Sequence, residues 1–154
     1  MNDASLMALG QRLQQRGQWL AVAESCTGGL IAAQITDISG ASAWFDRGVV
    51  TYSNRAKTEL LGVPAALLDA HGAVSGQVAS AMASGLRARA AVDWTVAVTG
   101  IAGPGGGTPD KPVGTVWFGV ASVSGQGVTR RECFAGDREA VRRQATAYAL
   151  NLLW

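Results

Sequence analysis

A chain of 154 residues can bury one substantial core, and 48% hydrophobic against 16% charged residues excludes the disordered and fibrous classes. A net charge of +2 with no basic block offers no nucleic-acid surface, and no apolar run reaches the length of a membrane span. One domain over residues 1–154, cytoplasmic and with neither nucleic acid nor membrane as partner, is therefore expected; Met1-Asn2-Asp3 carries no basic leader.

The reactive side chains are few. Cys26 and Cys133 are too few for a disulfide framework or a structural zinc site. His71 is the single histidine, so a His-rich metal site is out and a Ser-His-Asp triad has one possible imidazole. Eleven of the thirteen basic residues are arginine, leaving Lys57 and Lys111. A desolvated lysine can lose its proton and act as a base, which arginine cannot. Chance survival of two lysines in an arginine-biased chain explains the count equally well.

In chain order, Leu6, Leu9 and Leu13 lie at helical spacing within a helix over residues 5–16, which Gly17 can stop. Residues 19–24 read as a first strand and 28–38 as a second helix. Val49-Val50-Thr51-Tyr52 is β-branched and aromatic, a second strand. Ser53-Asn54 can cap a helix through Lys57 to Leu61, ended near Gly62 and Pro64, with a short helical turn at 65–70. Ser75 caps a long alanine-rich helix to about Ala91 with Val78, Met82 and Leu86 as its apolar stripe. Trp94 to Val98 is a buried strand that runs into the glycine-rich segment 99–107. Residues 113–123 and 128–134 form a hairpin, and Asp137 caps a last helix. Strands separated by helices, with one late hairpin, predict a mixed sheet sandwiched by helices.

In such sheets ligands sit beyond the carboxyl ends of the strands. Three strands end in polar or glycine-rich turns, at Ser25, Tyr52 and Thr99. Aligned, these ends gather Ser25, Tyr52, Lys57, Thr99 and the glycine loop into one pocket. Serine-based amide hydrolysis needs a nucleophile, a base and oxyanion donors. Ser25 can supply the first, and a buried Lys57 the second, with Tyr52 relaying the proton or sharing the base role. The backbone N–H groups of Cys26, Thr27, Gly28 and Gly29, or of Gly100 to Gly103, can supply the third, and the start of the second helix attracts anions. The same residues equally fit a helix-capping Ser25 or Thr27, a packing Tyr52 and a solvated Lys57.

The glycine loop matches neither the P-loop nor the dinucleotide fingerprint, although with Lys111 nearby its main chain can hold a phosphate. Cys26 fits a small buried residue better than a nucleophile, and Glu24 is a candidate for orienting groups near Ser25. Among Arg130, Arg131, Arg138, Arg142 and Arg143, most solvate helix and strand faces; one or two can fork onto a phosphate.

Five segments in order carry a more specific message: Ala23-Glu24-Ser25-Cys26-Thr27-Gly28-Gly29; Thr51-Tyr52-Ser53-Asn54 with Lys57; His71-Gly72-Ala73-Val74-Ser75; Thr99-Gly100-Ile101-Ala102-Gly103-Pro104; and Lys111-Pro112-Val113-Gly114-Thr115-Val116. Together they resemble the CinA C-terminal domain family, which includes the nicotinamide-nucleotide amidases. The likeness runs from about Leu6 to the C-terminus and is nearest to the stand-alone form, without the further N-terminal domain of the fused one. The resemblance implies a three-layer α/β/α sandwich on a mixed, mostly parallel sheet. It implies hydrolysis of the carboxamide of nicotinamide mononucleotide to nicotinic acid mononucleotide and ammonia, a step in pyridine-nucleotide recycling. It also implies a serine–lysine mechanism with no metal or organic cofactor. Carried onto this chain, Ser25 is the nucleophile, Lys57 its base and Tyr52 an assistant. Thr99 and the backbone of Gly100, Ala102 and Gly103 make oxyanion and substrate contacts. Gly105-Gly106-Gly107-Thr108-Pro109 departs from the family in its glycine content. Two other classes stand beside this reading: a nucleotide-binding module without catalysis, and a serine amidohydrolase for another small amide. Tryptophan and alanine-rich helical faces beyond the needs of one small core suggest a homodimer.

Overall fold

The computed structural model describes residues 3–154; Met1 and Asn2, part of the N-terminus read above as leaderless, lie outside the described residues. Helix α1 spans Asp3–Gln15 and strand β1 Leu20–Glu24, followed by α2 (Leu30–Thr36) and a single 3-10 turn at Ala41–Ala43. Then come β2 (Phe45–Val50), α3 (Asn54–Leu61), α4 (Ala65–His71), α5 (Gly76–Ala90), β3 (Trp94–Gly100), β4 (Thr115–Ser122), β5 (Gly127–Cys133) and α6 (Arg138–Asn151).

The five strands form one sheet in the order β2-β1-β3-β4-β5. β1 lies between β2 and β3 and is parallel to both, while β4 is antiparallel to its neighbours β3 and β5. Only β4 therefore runs against the rest, and the sheet is the mixed, largely co-directional one expected. Its alternating side chains define two unlike faces. Leu20 and Val22, Val96 and Val98, Val116 and Phe118 point to one side, where Leu6, Leu9, Ile31, Ile35, Val141 and Ala145 of α1, α2 and α6 cover them. Ala21, Ala23, Ala97 and Ala121 point to the other, under Leu61, Leu68, Val78, Met82 and Leu86 of α3, α4 and α5. Helix, sheet and helix thus make three layers.

Small residues on the second face are what let α5 lie close. A Cβ at Gly119 would stand 2.3 Å from the Ala79 carbonyl oxygen, and one at Gly85 only 1.9 Å from that of Leu61. Ser75 caps α5 by accepting from the Val78 N–H, and Ser53 and Asp137 cap α3 and α6 in the same way.

β2 departs from expectation. It spans Phe45–Val50, so Thr51 and Tyr52 follow the strand rather than belong to it. Its polar Asp46-Arg47 hid it from sequence, but an edge strand tolerates such residues on its open side. Gly48 lets the strand pass under α2, since a Cβ there would come within 2.6 Å of the Ala32 methyl. Among the described residues, no helix is long and apolar enough to cross a membrane.

Candidate active site

The carboxyl ends of β1, β2 and β3 lie side by side, and the three turns that leave them meet over one cleft of about 240 Å³. Ser25 follows β1 directly and is locked to the sheet by its N–H on the Val98 carbonyl of β3, at 3.0 Å. On the other side, the Thr51 N–H donates to the Glu24 carbonyl at 2.8 Å and fixes the exit of β2. One turn into α3, Lys57 points back under that exit.

There Lys57 is 1% exposed, and its Nζ donates to Ser25 Oγ at 3.1 Å. Its other partners are main-chain oxygens, Thr51 O at 2.9 Å and Tyr52 O at 3.4 Å. No carboxylate pairs with it among the described residues. Burial therefore holds the amine below the usual lysine range, opposed only by the neighbouring Cys26. Sequence suggested a base that could lose its proton, and the surroundings of Lys57 favour that form.

The turn after Ser25 is braced from both sides. The Glu24 carboxylate accepts from the N–H groups of Gly29 (3.0 Å), Ile31 (3.1 Å) and Ala32 (2.9 Å). That overturns the expectation of an anion site at the start of α2, because a buried carboxylate already fills it, and neither Ser25 nor Thr27 is the cap. The Gly28 N–H is also taken, by Ser25 O at 3.0 Å. Of the four N–H groups offered above as oxyanion donors in this turn, those of Cys26 and Thr27 are not taken by another main-chain oxygen among the described residues, and the Cys26 N–H meets only its own thiol. Cys26 lines the cleft with Ser25, whereas Thr27 is fully buried, lies outside the cleft lining, and has a partnerless Oγ1. Burial lifts the Cys26 thiol to about 11, so it stays protonated near neutral pH.

The other expected residues divide. Thr99 is buried at the end of β3 and its Oγ1 donates to Ala73 O at 2.9 Å, placing both at the cleft with Gly100 and Ala102. Gly100 is required there, because a Cβ would stand 2.7 Å from Val116 Cγ2 and 3.1 Å from Cys26 Sγ. Tyr52 lines the cleft but is 60% exposed, and its hydroxyl accepts from Arg138 Nη2 at 3.0 Å. Its main-chain oxygen, not its phenol, is what meets Lys57. Lys111 is elsewhere: its Nζ donates to His71 O at 2.7 Å, in an adjoining cleft with Trp117 and Arg131. His71 is with it, so the one imidazole is not brought to Ser25.

Arg138 is the residue that sequence reasoning left undecided among five arginines. The Asp137 cap starts α6 so that Arg138 reaches over the strand ends, donating to Gly103 O at 3.0 Å as well as to Tyr52. A larger groove of about 850 Å³ between α2 and α6 shares Arg138 but contains neither Ser25 nor Lys57. The smaller cleft holds the reactive pair.

Residues 3–154 match the model of the CinA C-terminal domain. The chain belongs to the CinA C-terminal domain family. Among curated relatives, a protein of Escherichia coli (strain K12) called nicotinamide-nucleotide amidohydrolase PncC is 58% identical, over 100% of this chain and 96% of its own. A CinA-like protein of Anaeromyxobacter dehalogenans (strain 2CP-C) is also 58% identical, over 92% of this chain but 35% of its own length. The family member described here therefore corresponds to one part of that longer protein and to nearly all of the former. Solved structures agree in fold. A competence damage-inducible protein A from Klebsiella pneumoniae superposes with a TM-score of 0.92 at 45% identity, covering 99% of this chain and 95% of that one. A competence/damage inducible protein from Agrobacterium tumefaciens gives 0.90 at 40% identity, covering 99% and 96%.

Proposed function

We propose that this protein is a nicotinamide-nucleotide amidase, hydrolysing nicotinamide mononucleotide to nicotinic acid mononucleotide and ammonia through Ser25 and Lys57. The observation that carries the mechanism is the buried Lys57 Nζ on Ser25 Oγ. The substrate comes from the near-full-length likeness to proteins named for that activity.

The geometry suits the chemistry. A neutral amine has two N–H bonds and one lone pair. In the neutral amine, with the carbonyls of Thr51 and Tyr52 taking its two hydrogens, the contact to Ser25 Oγ reverses: the hydroxyl donates to the Nζ lone pair. Lys57 then removes the hydroxyl proton as Oγ attacks the carboxamide carbon, and the carbonyl electrons move onto oxygen. The Cys26 N–H, at the cleft and not taken by any main-chain oxygen among the described residues, is the first donor for that oxyanion. The tetrahedral adduct collapses as Lys57 returns the proton to the departing nitrogen, releasing ammonia and leaving an ester on Ser25. Water, deprotonated by Lys57, attacks the ester carbonyl; the adduct collapses as Lys57 gives that proton to Ser25 Oγ, freeing the acid and restoring both groups.

At about 240 Å³ the cleft lies below the range for whole drug-sized ligands, so it suits the pyridine carboxamide, with the ribose and phosphate running outward. Arg138, at the rim beside Tyr52 and Asn54, is then the guanidinium for the phosphate, and binding energy there helps orient the amide. Lys111, in the adjoining cleft, is not assigned a role in this step.

Ammonia release from nicotinamide mononucleotide, compared between the intact protein and Ser25→Ala, tests the reading. Release that disappears in the variant supports it. Binding without release by the intact protein would favour a nucleotide-binding module, and turnover of other amides alone would favour a different amidohydrolase.

A further inference from the structure

The proposed mechanism leaves one strongly engaged cation unused. Arg142, in the second turn of α6, donates from Nε to Cys26 O and from Nη2 to Thr27 O, both at 3.0 Å. A guanidinium fork normally meets two oxygens of one carboxylate or phosphate. Here it spans two consecutive main-chain carbonyls of the turn that follows Ser25, and no carboxylate pairs with it among the described residues.

The consequence for Cys26 is geometric. The peptide before it, Ser25–Cys26, is held by the Gly28 N–H on Ser25 O. The peptide after it, Cys26–Thr27, is held by Arg142 on Cys26 O. Since each trans peptide is planar, the Cys26 N–H points opposite to Ser25 O, which Gly28 holds. Arg142, by holding the next peptide, restrains rotation about Cys26 and keeps the turn from reorienting that N–H. Glu24 anchors the far end of the turn through Gly29, Ile31 and Ala32. A turn rich in glycine would otherwise be free to sample many conformers. Arg142 reaches the turn from α6 on one face of the sheet, while Lys57 enters from α3 on the other. The base and the oxyanion donor are thus set by different layers.

We propose that Arg142 is a positioning residue of the amidase: by gripping the carbonyls of Cys26 and Thr27 it holds the Cys26 amide ready for the oxyanion. The inference rests on Ser25 being the nucleophile. Such pre-set donors act on the transition state and little on the ground state. Removing the brace should therefore lower kcat and spare KM. An arginine that instead bound substrate phosphate would show the reverse pattern.

The test uses the full chain with Arg142→Met and Arg142→Lys, each checked for native thermal unfolding. Ammonia release from nicotinamide mononucleotide gives kcat and KM. Affinity for 3-pyridinylboronic acid, which forms a tetrahedral anionic adduct on a serine, is compared with affinity for nicotinic acid mononucleotide, a ground-state ligand. For Arg142→Met, kcat should fall about tenfold to a hundredfold, the boronic acid should weaken in step, and KM and product affinity should stay within about twofold. Arg142→Lys, which can keep one carbonyl, should lie between, and it carries the test if the methionine variant does not fold. Unchanged kcat in a folded variant overturns the proposal, as does a rise in KM alone or an equal loss of both ligands. If the unsubstituted protein neither releases ammonia nor binds the boronic acid, the nucleophile reading falls and this one with it.

Discussion

Ser25 and Lys57 are 32 residues apart in sequence, yet their side chains meet at 3.1 Å at the end of β1, both buried at the floor of the cleft. A buried lysine without an anionic partner is costly as a cation and cheap as an amine, so the fold favours the base form before substrate arrives. Replacing Lys57 by alanine should lower kcat about 10²- to 10⁴-fold, the usual contribution of a general base. Lys57→Arg should do no better, since arginine stays protonated. Near-normal ammonia release by either variant would remove Lys57 from the reaction.

The same burial sets a pH dependence. Lys57 titrates below its unfolded value, so the unfolded chain binds the extra proton over the interval between the two. Stability must then rise with pH through that interval, the penalty of a buried ammonium being full below the folded value and absent above the unfolded one. The rate follows the amine: kcat/KM should climb on the acid side as Lys57 loses its proton and level off above. A pH–rate profile whose rising limb is centred at or above the usual lysine range would sink the neutral-amine mechanism.

Two hydroxyls compete for the nucleophile's role, and their surroundings differ. Ser25 Oγ has the amine and the cleft, while Thr27 Oγ1 is fully buried with no partner. Thr27→Val, which keeps the shape and removes an unsatisfied oxygen, should leave kcat within about threefold and leave stability equal or higher. Ser25→Ala should abolish measurable release. Residual activity in Ser25→Ala that disappears on adding Thr27→Val would reverse the assignment.

Much of this site was legible because strand ends, turns and caps are local. The buried runs at β1 and β3 and the capping Ser53, Ser75 and Asp137 name the elements, and parallel strands align their exits, which brings Ser25, Thr99 and Lys57 together. What stayed hidden depends on contacts between distant elements. Glu24 occupies the start of α2 through three N–H bonds, which no sequence pattern of capping announces five to eight residues away. The start of β2 at Phe45 was invisible because only one edge of it is paired. Tyr52 looked like a proton relay from its neighbours in sequence, but the strand ends two residues earlier, at Val50, and the Tyr52 phenol meets Arg138 instead. Nothing in the spacing separates Arg138 from Arg142, although one faces the cleft and the other grips the main chain.

Arg138 and Tyr52 form a hydrogen-bonded pair at the rim, and their loss should be felt in binding first. If Arg138 holds the phosphate as proposed, Arg138→Ala removes a charged contact worth about 1.5–3 kcal/mol and should raise KM about tenfold or more. Tyr52→Phe should cost less, since the phenol only steadies Arg138, and should leave the pH profile in place. Steady-state kinetics of the two variants and of the double variant would measure their coupling. A Tyr52→Phe variant that shifts the pH profile or loses kcat as Lys57→Ala does would return the phenol to the proton path.

The close approach of α5 makes its own prediction about stability. Gly119 in β4 leaves room for the Ala79 carbonyl of α5, and a methyl there would stand 2.3 Å from that oxygen. Backbone cannot swing aside as a side-chain tip can, so Gly119→Ala must push helix and sheet apart. The cost should be about 1–3 kcal/mol, as for other overpacked interiors, a fall of several degrees in Tm. Ser25 and Lys57 lie at the end of the sheet on β1 and α3, so ammonia release per folded molecule should hold below the new Tm. Thermal unfolding unchanged from the parent would mean that α5 is packed more loosely than a small-residue face requires.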